Sequence, residues 1–138
     1  METSVFNKIG EPVAYIGDDF NRTIYLWDGI QVAYLYHEEH VYGTNGRHLG
    51  RFIGNVLYDE QGLRIGFTSG SCPVPVGKET VKPKKMSPYD VRPRWNAPPL
   101  PKLSYHDSDR DLAEFLKQGQ ISMVLAEAPE EEGEESKD

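Results

Sequence analysis

Four segments of the first half of this chain align on a glycine: VFNKIGEPVAYI, IYLWDGIQVAYL, VYGTNGRHLGRF and LYDEQGLRIGFT. The anchors are Gly10, Gly29, Gly46 and Gly62, spaced 19, 17 and 16 apart. An aromatic stands four positions before each glycine (Phe6, Tyr25, Tyr42, Tyr58), preceded by an aliphatic (Val5, Ile24, Val41, Leu57). Three positions after each glycine comes another aliphatic (Val13, Val32, Leu49, Ile65), then a tiny residue (Ala14, Ala33, Gly50, Gly66). A unit this short cannot bury an apolar face alone, so its copies must pack on one another. Nothing else in the sequence limits the fold as tightly.

Aromatic and β-branched residues flanking a glycine predict a β-hairpin in each unit. Asp28-Gly29 and Asn45-Gly46 suit a two-residue turn, but Ile9-Gly10 does not, because a β-branched residue resists positive φ. A type I turn closed by a left-handed glycine suits all four, with Asn7 and Asp59 placed to cap it. In that register the aliphatic before the aromatic pairs with the aliphatic after the glycine. The ring then lies on the other face, over the tiny residue. Both faces are apolar, so each hairpin is expected to be covered on both sides.

The repeated aromatic, glycine and Val/Ala columns resemble the four-fold β-flower domain. The resemblance runs from Val5 to about Thr68, and the proline-rich stretch and the DLAEFL segment downstream look like that family's too. It implies a mainly β fold of four petal-like hairpins around a pseudo-fourfold axis, followed by an extended strap and one short C-terminal helix. The third repeat departs most, with Arg51 where the others carry Tyr15, Tyr34 and Phe67. The family carries no established activity, so the resemblance implies a fold and little chemistry.

The organisation expected is a four-hairpin domain over 1–71, a proline-rich strap over 72–106, a short helix plus strand over 107–126, and a disordered acidic tail over 127–138. Eight of the ten prolines fall between Pro73 and Pro101. Such spacing forbids a helix and favours extended backbone. Val74, Val76, Val81, Met86, Tyr89, Val91 and Trp95 are interleaved with them, which argues for a strap lying on a surface. Ser108-Asp109-Arg110-Asp111 resembles a capping box for a helix carrying Leu112, Phe115 and Leu116 on one face, ended by Gly119. Ile121–Ala126 reads as an added strand.

The formal charge of −7 is concentrated in the last twelve residues, which hold seven acids and one lysine. The body is therefore near neutral, which argues against nucleic acid as a partner. No apolar run is long enough to span a bilayer as a helix, so no membrane partner is expected. The opening residues lack the pattern of a secretory leader, and a single cysteine, Cys72, favours a reducing cytoplasm.

Candidate chemistry is sparse. His37, His40 and His48 with Glu38 and Glu39 nearby are weak candidates for a zinc site, at a spacing unlike the helical HExxH pattern. Gly70 to Lys78 echoes a phosphate loop, but six residues separate its glycines and Glu79 replaces the magnesium-binding hydroxyl. Its prolines also remove the amide donors that a phosphate cradle needs. Nothing local lowers the Cys72 thiol pKa. Lys78 to Arg94 carries six cations against Glu79 and Asp90, and either an anionic partner or the acidic tail suits it. The PxxP of Ala97 to Pro101 is expected to dock on its own domain. No cofactor is implied.

Two functional readings stand. The first is a non-enzymatic binding or assembly module, self-associating as a homodimer through the strap and helix, with Tyr25, Tyr42, Tyr58, Arg51 and Trp95 as binding residues. Its partner is a second copy, another protein, or a small ligand held in a cup along the axis. The second is a small hydrolase or ligand-modifying enzyme built from His37, His40, His48, Asp28, Asp59 and Arg51. Convergence of the histidines with a carboxylate in one concavity would favour the second reading.

Overall fold

A computed structural model describes residues 2–88 and 92–121. Its eight strands are β1 Thr3–Phe6, β2 Pro12–Ile16, β3 Thr23–Leu26, β4 Gln31–Tyr36, β5 His40–Gly43, β6 His48–Ile53, β7 Val56–Tyr58 and β8 Arg64–Phe67. They follow one another in order around a closed antiparallel barrel, sealed where Phe6 of β1 meets Phe67 of β8. Closure removes the exposed strand edges that an open sheet must protect. The helix α1 spans Leu112–Lys117.

Each glycine-centred unit folds back on itself through one kind of turn. The amides of Gly10, Gly29, Gly46 and Gly62 donate to the carbonyls of Asn7, Leu26, Gly43 and Asp59, three residues earlier, at 2.8–3.0 Å. All four glycines hold φ between +84° and +93°. Side chains cap the turns: Asn7 Oδ1 accepts from Ile9 and Glu11, and Asp59 Oδ1 accepts from Gln61 and Leu63. Asp28 and Asn45 play the same part from the position just before the glycine.

The register differs from the sequence expectation. Val5, Ile24, Val41 and Leu57 pair with Ala14, Ala33, Gly50 and Gly66, the tiny residues, and not with the aliphatics after the turn glycine. A bulge in every unit is responsible: the residue three after the glycine is the extra one, so the pairing slips by one. Aliphatic and tiny residues therefore share the inward face, where an eight-stranded barrel has room only for side chains. A Cβ on Gly66 would lie 3.1 Å from both Leu57 and Val5.

The helix completes this interior. Leu112, Phe115 and Leu116 are buried in the same cluster as Val5, Ile16, Ile24, Leu35, Val41 and Leu57. Leu116 shares with these aliphatics a void of only about 10 Å³. The helix cap is also corrected. Asp111 is the N-cap, accepting from Glu114 N at 3.0 Å, while Ser108 Oγ is occupied by Arg110 N. The sequence places an acceptor at both positions, and the one adjoining Leu112 wins. The expected strand 121–126 and acidic tail lie outside the described residues beyond Ile121, as do Tyr89 and Val91 of the strap.

Candidate functional site

On the outer face the rings pair between hairpins, not over the tiny residues. Tyr15 stacks on Tyr25 with centroids 5.3 Å apart, and Tyr34 on Tyr42 at 5.9 Å. Arg51 and Phe67 occupy the equivalent register positions opposite Tyr58 and Phe6. Burial raises the phenol pKa values of Tyr15, Tyr25 and Tyr34.

The proline-rich segment covers this belt. The amides of Gly77, Met86, Trp95 and Ser104 donate to the carbonyls of Gly10, Gly29, Gly46 and Gly62 at 2.6, 2.9, 2.9 and 2.9 Å. The donors are nine residues apart at every step, one per turn. Side chains reinforce the contact. Gln31 donates to Ser87 O at 2.7 Å, Tyr34 to Pro93 O at 2.7 Å, and Arg51 to Pro98 O at 2.6 Å.

Cations from the segment lie on the rings beneath. Lys82 sits 4.5 Å from the Tyr15 centroid and 5.0 Å from Trp27, Lys85 is 5.4 Å from Tyr25, and Arg92 is 5.1 Å from Tyr34. Desolvated contacts of this kind are worth more than exposed ones, which run at about 0.5–1 kcal/mol each. Glu2 clamps Lys82 and Lys85 at 2.7 and 3.2 Å, and the Lys82 bond leads in drawing its carboxyl below the usual value. Much of the basic stretch is thus spent within the chain.

The residues singled out from the sequence do not form one site. Tyr25, Tyr42 and Arg51 are buried, and Tyr58 is half-buried. Trp95 alone among the five is exposed, at 60%. His40 Nδ1 and His48 Nε2 meet at 3.1 Å, while His37 packs on Tyr36 with ring centroids 4.0 Å apart. Burial, with Arg51 and His40 close by, pushes His48 down to about 4. Asp28 and Asp59 are spent on turns. Among the described residues no group of three His, Cys, Asp or Glu side chains is placed to hold a metal. Cys72 is half-buried with its thiol 3.6 Å from Asn7 O.

Several large apolar side chains of the strap are exposed alongside charged ones such as Lys78, Glu79 and Lys84. Val81 is 95% exposed and Tyr105 90%, with Trp95 and Leu100 between them in the chain. The nine-residue spacing left little trace in the sequence, because the donors are Gly, Met, Trp and Ser and the bonds use only backbone. The alternation of Pro75, Lys84, Pro93 and Lys102, which pack against the turn glycines, was the available signal.

No described helix is long and apolar enough to cross a membrane. A family model described as "4-fold beta flower protein" matches residues 3–116. No curated protein and no solved structure matches the chain.

Proposed function

The chain belongs to the 4-fold beta flower family, and from that premise we propose that it is a non-enzymatic binding and assembly module that self-associates through the exposed side chains of its strap. The observation that carries this reading is that the strap, while bound by backbone to the four turns, leaves Val81, Trp95, Leu100 and Tyr105 exposed to solvent. Large exposed apolar side chains on a rigid support are what stable interfaces draw on. Rigidity matters because an arm already bound to its own domain loses little entropy on docking.

The finer view of the barrel as four equivalent petals held by one strap belongs to the same proposal. Its support is the shared turn, the shared bulge and the single amide contact at each turn glycine. The hydrolase reading lacks comparable support, since the His40–His48 pair, His37 and the turn-capping aspartates do not converge. Sedimentation velocity at tens of micromolar tests the proposal with the Trp95→Ser/Tyr105→Ser double variant. The wild-type chain is expected to sediment as a dimer and the variant as a monomer with an unchanged melting temperature. A variant that dimerises as well as wild type would overturn the assignment to those side chains.

A further inference from the structure

The three stretches of strap between neighbouring turn contacts are not used alike. From Gly77 to Met86 the strap sends side chains down onto the barrel. Lys82 lies over Tyr15 and Trp27, Lys85 over Tyr25, and Thr80 Oγ1 accepts from Trp27 Nε1 at 3.0 Å. From Met86 to Trp95, Arg92 lies over Tyr34 and Arg94 over Tyr36. From Trp95 to Ser104 the direction of the contact is reversed.

Arg51 is the reason. It stands opposite Tyr58, at the place where the other repeats carry Tyr15, Tyr34 and Phe67. Its buried side chain donates from Nη2 to Pro98 O at 2.6 Å. The cation here comes from the barrel and takes only strap backbone, which leaves the strap side chains unused. Every residue from 93 to 100 is exposed, Leu100 at 56%. Among the described residues, neither Asn96 nor Lys102, the two polar side chains of this stretch, makes a hydrogen bond or an ion pair.

The same stretch is conformationally restricted by its own sequence. Proline fixes φ near about −65° and keeps the residue before it out of the helical region. Pro98, Pro99 and Pro101 impose this on one another and on Ala97 and Leu100, and residues 97–101 form neither helix nor strand. They are therefore held in extended, polyproline-like backbone. The segment is also tied at both ends, where the amides of Trp95 and Ser104 donate to Gly46 O and Gly62 O at 2.9 Å. A polyproline helix has about three residues per turn. Pro99 and Lys102 then share one side and Ala97 and Leu100 a second, all four exposed, while Pro101 on the third is half-buried.

Proline-rich segments of this kind are bound in grooves lined by aromatic rings, because backbone that is already extended loses little entropy on docking. Lys102 adds an unpaired cation at the end of the run, and an acidic rim on the groove would complement it.

We propose that residues 97–102 are a docking segment for a partner protein with an aromatic-lined, polyproline-reading groove. Its rings receive Pro99 and Leu100, and its acidic rim receives Lys102. The proposal goes beyond self-association, with which it shares only Leu100.

Isothermal titration of the full chain against a panel of purified WW, SH3 and EVH1 domains tests it. At least one domain is expected to bind one to one and saturably. Pro99→Ala/Leu100→Ala should weaken that binding by about tenfold or more, as loss of a packed anchor does. Lys102→Gln should weaken it less and flatten its salt dependence. Pro83→Ala, in the first stretch, should leave it unchanged, as should the Trp95→Ser/Tyr105→Ser variant, which separates this contact from self-association. A free peptide of residues 95–104 should bind more weakly than the chain, because the barrel no longer holds its ends. Absence of saturable binding across the panel would overturn the docking segment, as would full affinity in Pro99→Ala/Leu100→Ala or an equal loss in Pro83→Ala. Equal affinity of peptide and chain would overturn the part given to the barrel.

Discussion

Gly62 and Gly54 both hold left-handed backbone, at φ +84° and +60°, but their surroundings differ. A Cβ on Gly54 meets nothing within 4 Å, whereas one on Gly62 would overlap the Lys102 carbonyl of the strap. Gly54→Ala is therefore expected to cost about 1–2 kcal/mol, the ordinary penalty of an L-residue in that region. Gly62→Ala should cost at least twice as much, because the strap must also move, and urea denaturation of the two variants measures the difference. His48 gives a second prediction at this scale. Its pKa is held near 4, against 6.5 ordinarily, mainly by burial, so between those values the unfolded chain binds a proton that the folded chain refuses. Stability should then fall as pH drops from about 6.5 towards 4 and be insensitive to His48 above that window. Urea midpoints across the window for wild type and His48→Gln check this, the variant showing the shallower slope. The turn glycines were legible in the sequence because positive φ selects a residue type. The His40–His48 contact was legible only as a shared hairpin, because the burial that sets the protonation of His48 depends on the packed rings around it.

Among the elements, the strap depends most on register. Its four amide contacts fall nine residues apart, so inserting one glycine between Glu79 and Thr80 would throw Met86, Trp95 and Ser104 out of step with their turns. Hydrogen exchange should report lost protection at those three amides, with the strands of the barrel retaining theirs. Unchanged protection would mean that the strap finds its turns by side chain rather than by spacing. At the helix, Asp111→Ala removes the N-cap and should destabilise the protein by about 1 kcal/mol, while Ser108→Ala should cost less. The hairpins themselves were readable from aromatic, glycine and aliphatic columns. The bulge was not: its extra residue (Val13, Val32, Leu49 or Ile65) is as apolar as a paired one would be, so composition does not distinguish the two registers.

For the whole molecule, repetition announced a mainly β fold, and the barrel closes where its first and last strands pair at Phe6 and Phe67. The interior is filled by the chain's own helix, since Leu112, Phe115 and Leu116 match the aliphatic face of the strands. That filling removes part of the reason to expect exchange of the helix between copies, so the proposed self-association falls to the exposed side chains of the strap. The pocket lined by Arg22, Tyr36, Arg92 and Arg94 was invisible in the sequence because it joins residues of two hairpins to a strap seventy residues from Arg22. Light scattering of the wild-type chain at tens of micromolar tests self-association through the strap most directly. A mass twice that of the 15.6 kDa chain is expected, and a mass of one chain across that concentration range would contradict it.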